Sequence, residues 1–322
     1  GIRHGKSLGS PIGLILPNKD WKNWIVKMSV ESVDKKIKKI TLPRPGHADL
    51  AGIQKYGSDD IRNILERSSA RETTMRVALA SICRILLKEV GITVGSRVVQ
   101  IHTIKDETLL SEHITPEALN NKVDKSPVRC LDKKVETRMI DAIDQAKQEG
   151  DSVGGVFEVV ASGLPYGLGS HTKWDAKLHA RIAESIMSVN AFKGIEIGMG
   201  FESARHLGSA VHDEIGWDGK KYTRYSNNAG GIEGGMSNAQ PIVVRAVMKP
   251  IPTLIKPLRS VDIQTKKENL AHKERTDSCS VPAASIVAEA MLCFVLADAM
   301  LEKFGGDTME QLKAHIKISG KY

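Results

Sequence analysis

Between Ile61 and Val90, apolar residues recur at Ile61, Ile64, Leu65, Met75, Leu79, Ile82, Leu86 and Val90, the spacing of one face of a long α-helix. A helix of this kind has to bury its stripe against other elements. Yet Arg67-Ser68-Ser69-Ala70-Arg71-Glu72-Thr73 sets a dense polar cluster inside it. At about 100° per residue, Ser68 and Glu72 fall in the middle of the stripe and Arg67 and Arg71 on its shoulder. Burying Glu72 without a partner costs several kcal/mol, so it is expected to meet an arginine or a polar ligand. Sequences break their own packing pattern mainly where function requires it, which marks this helix as part of a site.

A chain of 322 residues can bury a large core. Aromatic residues make up only 4%, so that core has to be built from Ile, Val, Leu, Ala and Met. No uninterrupted apolar run reaches the roughly 20 residues that span a bilayer, and the chain does not open with a basic-then-apolar leader; a cytoplasmic protein with no membrane partner is expected. The formal charge of +8 favours anionic partners without naming them. The basic run Lys35-Lys36-Ile37-Lys38-Lys39 lacks interleaved aromatics and reads as solvated surface. Cys83, Cys130, Cys279 and Cys293 have no metal-ligand spacing and read as reduced, packed thiols, so no metal is expected.

Helices and short strands alternate irregularly along the chain, without the regular rhythm of a doubly wound sheet. Ile12 to Leu16 and Thr93 to Ile104 read as strands, as do Val153 to Val160 and Ile242 to Met248. Helices are expected from near Ser58 to Gly91, from Lys133 to Glu149, from Asp175 to Val189 and from Ala283 to Phe304, with Thr115-Pro116-Glu117 starting another. A short helix follows from about Asp307. No repeat or low-complexity linker divides the chain, which is read as one α+β domain over residues 1–322.

Several constellations carry chemistry, each with a plainer alternative. Gly230-Gly231-Ile232-Glu233-Gly234-Gly235 lets backbone N–H groups approach a phosphate or a planar cofactor, or makes only tight turns. It does not sit between a strand and a helix, so a dinucleotide fold is not supported. Arg44-Pro45-Gly46-His47-Ala48-Asp49 puts a histidine on a stiff turn beside an arginine and a carboxylate, where it can move a proton or simply lie exposed. Arg275-Thr276-Asp277 ahead of an apolar helix either binds an anion or caps the helix. Lys249-Pro250-Ile251-Pro252-Thr253 ends a strand with a lysine and a hydroxyl that can cradle a phosphate, or serves as an edge terminator. His47, Asp277 and a serine do not form a hydrolase triad, because no nucleophile elbow surrounds Ser68, Ser69 or Ser278.

Taken in order, these segments closely resemble the chorismate synthase family. The match runs through Gly5 to Ile12, Asn18-Lys19-Asp20-Trp21, Arg44 to Asp49, Glu66 to Thr73, Gly167-Leu168-Gly169-Ser170 with Trp174-Asp175, and Asn190 to Gly194. It closes with His212-Asp213-Glu214-Ile215, Gly230 to Gly235, Lys249 to Thr253 and Arg275-Thr276-Asp277. The resemblance implies a β-α-β sandwich, with helices held between antiparallel sheets, assembled as a homotetramer. It implies a phosphate lyase of aromatic amino acid biosynthesis that converts 5-enolpyruvylshikimate 3-phosphate to chorismate by anti 1,4-elimination and requires reduced FMN.

Carried over by motif, Arg67, Ser68 and Ser69 contact the FMN phosphate or lie beside the substrate, Ser69 among the catalytic residues. Asn190, Ala191 and Gly234 pack at the flavin; Lys249, Pro250, Ile251, Pro252 and Thr253 hold its ribityl-phosphate side, and Arg275 completes the anionic cradle. His47 resembles a histidine that protonates reduced flavin, and Asp277 an aspartate that takes a proton at flavin N5. Arg44, Arg67 and Arg71 bind the substrate, while Glu72 orients arginines from behind. The partner expected is a small phosphorylated metabolite; whether NADPH reduces the flavin on this chain or a separate reductase supplies it stays open. A nucleic-acid-binding protein is the alternative class, motivated by charge alone and opposed by the scarcity of aromatics; no nucleic acid is expected. The family carries a Gly-x-Ser-His segment ahead of the glycine-rich start, and this sequence begins at Gly1 where that segment would end; a sequence numbered from mid-protein, with turnover depending on that segment, is expected. Asp277-Ser278 also departs from the family's usual Asp-Pro.

Overall fold

The structure is a computed structural model that describes all residues except 34–36, 69, 111–113 and 320–322, and leaves undescribed the side chains of residues 66, 67 and 70. The described residues group into two compact units, Gly1–Met75 with Pro252–Thr276, and Arg76–Ile251 with Asp277–Tyr322.

The second unit is built on a five-stranded antiparallel sheet, in the order Ile104–Lys105, Thr93–Ile101, Gly155–Ser162, Ile242–Met248, Phe192–Ile197. Val98 faces Phe157 and Phe157 faces Ala246 across neighbouring strands, all three fully or almost fully buried. The Val281–Phe304 helix packs on the Thr93–Ile101 and Gly155–Ser162 strands, on Leu178–Met187, and on the Tyr166–Gly169 strand of a smaller three-stranded sheet. Helices thus lie between two antiparallel sheets, the α+β sandwich expected from the family pattern. The long helix has the length and apolarity of a membrane span, with a mean hydropathy of 1.9, but 72% of its most apolar window is buried in this unit.

That helix also carries Glu289, which is 1% exposed. Its carboxylate accepts hydrogen bonds from Ser96 Oγ at 2.6 Å, Arg84 Nη2 at 2.6 Å, and Asn120 Nδ2 and Arg129 Nη2 at 3.3 Å. A buried charge of this kind is tolerable only because each oxygen has charged or polar donors. Local signals act as expected: Thr115 caps Pro116–Val123 by accepting from the Ala118 N–H at 3.1 Å, and Asp132 caps Lys133–Gln148.

In the first unit, the 40–44 segment is anchored by backbone hydrogen bonds from Ile61 to Ile40, Ile263 to Thr41 and His272 to Leu42. Thr41 Oγ1 donates to Asp262 Oδ2 at 2.6 Å, and Ser260 Oγ to the Pro43 carbonyl at 2.5 Å. These bonds fix the stretch that leads into the Arg44–His47 turn, where Gly46 adopts φ +76°.

Three local expectations change. Ile12 to Leu16 forms no strand and Ile15 is 92% exposed; among the described residues the N-terminal pairing is instead Ile2–Arg3 with Lys6–Ser7. Thr93 to Ile104 is a hairpin, turned at His102 with φ +52°. The long helix is described as Arg62–Ser68 and Ala70–Glu89, on either side of Ser69. Its stripe is only partly buried: Ile61 is buried and Ile64, Leu65, Met75, Leu86 and Val90 are half-buried, while Leu79 and Ile82 stay exposed; the described residues of Ala70–Glu89 that are buried, Ala80 and Leu87, lie outside the stripe.

Candidate active site

In the first unit, Arg44, His47 and Asp49 form a tight cluster. Asp49 is the first residue of the Asp49–Tyr56 helix and its side chain is 1% exposed. His47 Nδ1 donates to Asp49 Oδ1 at 2.5 Å; Arg44 Nε and Nη2 donate to Oδ2 and Oδ1 at 2.9 and 3.1 Å. Burial by itself raises the Asp49 carboxyl, but hydrogen bonds from His47 and Arg44 outweigh it and hold the group well below the usual carboxylate range. Arg44 Nη1 donates to Thr253 Oγ1 at 2.8 Å and lies 3.6 Å from Glu274 Oε2. Every nitrogen of the Arg44 guanidinium therefore has a protein partner.

Nearby in the same unit, Asp20 accepts from Trp24 Nε1 at 2.7 Å, and the Trp24 ring lies under the Arg71 guanidinium, 5.4 Å from its centroid. The Asp20 carboxyl is lowered by its Trp24 and Asn23 hydrogen bonds, with Arg71 and Arg275 contributing through their charge. An aromatic platform and a fixed carboxylate thus hold an exposed arginine in place.

In the second unit, Lys249 N–H donates to the Ala191 carbonyl at 3.0 Å, joining the 249–251 segment to Asn190-Ala191. Ala191 has φ +69°, a left-handed conformation that costs a non-glycine residue energy and that persists where the surroundings impose it. Ser152 Oγ donates to the Ile251 carbonyl at 2.7 Å, and Val153 N–H to the Ser278 carbonyl at 2.8 Å, so one turn holds both the 249–251 segment and the residue after Asp277. A Cβ at Gly154 would sit 2.3 Å from the Met248 carbonyl, so only glycine permits this approach. The exposed Asn190 and the strained Ala191 are thereby held beside the start of the 249–251 segment.

The chorismate synthase family model matches residues 1–301. The chain belongs to the chorismate synthase family. It is 52% identical over its whole length to a chorismate synthase of Geobacillus sp. and 54% identical to "Chorismate synthase 2" of Bacillus cereus, covering 84% of each. Against the Enterococcus faecalis chorismate synthase it is 55% identical over 98% of this chain and 82% of that protein. A crystal structure of chorismate synthase superposes with a TM-score of 0.79 at 44% identity, over 99% of this chain and 81% of that one. It is therefore an enzyme, a lyase of chorismate synthesis in the shikimate pathway.

Within chorismate synthase, the residues singled out from sequence are distributed as follows. Arg44, His47 and Thr253 are bonded together in the first unit, with Pro252 next to Thr253. Arg71 rests on Trp24, and Arg275 is exposed. Ser68 donates its hydroxyl to its own helix, to the Ile64 carbonyl at 2.8 Å, and Glu72 is half-buried. Ser69 and the Arg67 side chain, like Lys35, Lys36 and His113, lie outside the described residues. In the second unit Asn190, Ala191, Lys249, Pro250 and Ile251 are neighbours, and Asp277 is exposed. Gly234 occupies an exposed turn of the three-stranded sheet, with φ +60° and open space around it.

Three residues make contacts that the sequence reading did not assign to them. Asp49 stands two positions after His47, but its three-way hold on Arg44 and His47 has no sequence signature. Trp24 follows the Asn18–Trp21 motif and gains meaning only beneath Arg71. Asp213 accepts from Ser226 Oγ at 2.5 Å and from the N–H groups of Asn228 and Ala229 at 2.7 and 2.9 Å, shaping the loop that enters Gly230–Gly235.

Proposed function

We propose that this chorismate synthase removes phosphate from 5-enolpyruvylshikimate 3-phosphate by anti 1,4-elimination and that it depends on reduced FMN. One C–O bond and one C–H bond break, phosphate leaves with its electron pair, a proton is lost and a second ring double bond forms, with no net redox change. Reduced FMN, when bound, supplies electron density as phosphate departs and takes it back as the hydrogen is lost. The protein's part is to bind, orient and move protons. His47 exchanges a proton at Nε2, the nitrogen not committed to Asp49. Asp277 accepts a proton, and Ser69 completes the catalytic set.

Arg67, Arg71 and Arg275 meet the substrate's phosphate and two carboxylates and the cofactor phosphate through charge-assisted hydrogen bonds. Ser68, Asn190, Ala191, Gly234, Pro250, Ile251 and Pro252 line the cofactor, and Lys249 and Thr253 serve its ribityl-phosphate side. Arg44, with all its nitrogens engaged by protein groups, acts on the substrate side by holding its neighbours. Residues 1–322 act as one chorismate synthase-like domain, in a cytoplasmic homotetramer. Reduced flavin comes either from NADPH at this chain or from a separate reductase.

The observation that supports this reading is the seating of His47 on a buried carboxylate, in a chain more than half identical to chorismate synthases. Anaerobic turnover with chemically reduced FMN, on protein that carries the family's Gly-x-Ser-His segment, tests it. Chorismate and phosphate are expected to appear together, and only with reduced flavin; product formation without flavin, or none with it, overturns the reading. Light scattering of the purified protein decides the tetramer.

A further inference from the structure

We propose that Asp49 is the positioning residue of this site, fixing His47 in the tautomer that carries its proton on Nδ1 and presents Nε2 for proton transfer. The proposal rests on the role given to His47 above and extends it to a residue with no assigned part in the reaction.

Four donors converge on one carboxylate. Oδ1 accepts from His47 Nδ1 at 2.5 Å and from Arg44 Nη2 at 3.1 Å; Oδ2 accepts from Arg44 Nε at 2.9 Å and from the Arg44 backbone N–H at 3.0 Å. Asp49 also opens a helix, whose N-terminal partial charge favours an anion. It stays ionised in any working buffer, because those same donors hold its carboxyl below the usual range. An ionised carboxylate has no proton to give, so the imidazole supplies the one between Nδ1 and Oδ1; Nε2 is then the nitrogen with the lone pair, it faces the donor Arg44 Nη2 at 3.3 Å, and it is the one that can exchange a proton with a ligand that displaces this contact. Rotation of Asp49 is blocked because Arg44 grips both oxygens and is itself tied to Thr253 Oγ1 at 2.8 Å and faced by Glu274 at 3.6 Å. His47 alone of the three keeps appreciable exposure, with a side chain 13% open. An Asp–Arg pair serving structure alone has no need of the shortest of the four bonds, the one to the ring. A histidine whose second nitrogen is oriented by a fixed carboxylate is the arrangement that general acid–base catalysis uses.

The test reads the tautomer directly. Nitrogen NMR of the ¹⁵N-histidine-labelled, flavin-free chain, with His47→Gln to assign the signal, is expected to show His47 protonated at Nδ1 when neutral. In Asp49→Asn the Nε2–H tautomer is expected to become a major species. In turnover with reduced FMN, on protein that carries the family's Gly-x-Ser-His segment, Asp49→Asn is expected to lower kcat about a hundredfold or more with substrate KM little changed. The His47→Gln, Asp49→Asn double variant should be no slower than His47→Gln alone. An unchanged tautomer in Asp49→Asn, or additive losses in the double variant, overturns the proposal. If Asp49→Asn does not fold, Asp49→Glu carries the same readouts, the longer carboxylate being expected to keep the tautomer partly and to rescue part of kcat. A His47→Gln enzyme with full turnover removes the catalytic role of His47 and leaves the tautomer measurement to decide Asp49 separately.

Discussion

Glu289 and Arg129 face each other at 3.3 Å inside the second unit, the carboxylate 2% and the guanidinium 9% exposed. Glu289 sits on the most apolar helix of the chain, and Arg129 adopts φ +56° to reach it while also donating to the Ser96 carbonyl at 2.9 Å. The arrangement ties the Val281–Phe304 helix to the Thr93–Ile101 strand through polar bonds within an apolar layer.

Removing one side of this arrangement leaves buried charge uncompensated. Glu289→Ala is expected to destabilise the protein by about 3–5 kcal/mol, and Glu289→Gln by less, since the amide still accepts from Ser96 and one arginine. Urea unfolding of both variants checks the order. Equal stability of Glu289→Ala and the parent would mean that the pair contributes nothing.

Acid should weaken the 260–265 turn and the Arg44–Asp49 cluster. Asp262 is lowered from 3.8 to about 2, chiefly by the Thr41 hydroxyl and then by the Thr265 N–H, and Asp49 is held lower than the usual range as well. Both folded values lie below the unfolded ones, so the unfolded chain binds more protons in acid. The stabilisation is complete above about pH 4 and is lost progressively as pH falls through that value towards 2 and below. Unfolding measured at pH 7, 5, 4 and 3 should show this decline. It should be shallower in Thr41→Val, which removes the main donor to Asp262; an identical slope would contradict the assignment.

Cys130 and Cys293 should be inert in the folded protein. Burial pushes both thiols up to about 12, helped at Cys130 by the Asp106 carboxylate that accepts from its Sγ at 3.2 Å. Because the thiolate is the reactive form, neither is expected to react with a thiol reagent at pH 8 until the chain unfolds. Mass spectrometry of native and denatured samples after a short pulse gives the answer, and rapid native labelling at Cys130 would show that its environment is open.

Ala191 offers a test of strain next to the proposed cofactor residues. At φ +69° the methyl group already costs about 1–2 kcal/mol, and a β-branched side chain costs more. Ala191→Val is expected to lower stability and weaken FMN binding, whereas Ala191→Gly should leave stability within about 1 kcal/mol of the parent. Calorimetry and flavin titration report the two effects, and a Val variant as stable as the parent would argue against the left-handed backbone.

Much of this fold is legible in the order of its residues, because many of its signals are local. Thr115 followed by Pro116 announces a helix start, and the apolar run into Gly305-Gly306 announces a helix and its end. The motifs at Arg44–Asp49 and Lys249–Thr253 carry part of the family resemblance. The failures are equally physical. Ile12 to Leu16 has a strand's composition, but a strand exists only where a partner offers hydrogen bonds, and composition does not supply one. Leu79 and Ile82 follow a core pattern yet lie exposed, because burial depends on what covers a face as well as on how the face is spaced.

The sequence by itself determined the family and the order of most elements, since turns, caps, periodicity and motifs are properties of neighbouring residues. Only the tertiary structure decided partners. Arg44 meets Thr253 across 209 positions, and Ser96 meets Glu289 across 193. Such pairs are set by the packing of whole elements, which brings distant side chains within 3 Å of each other where no local rule relates them. The polar cluster inside the 61–90 pattern shows both sides of this: its composition raised the expectation of a site, while the seating of Arg71 over Trp24 became visible only in the tertiary structure.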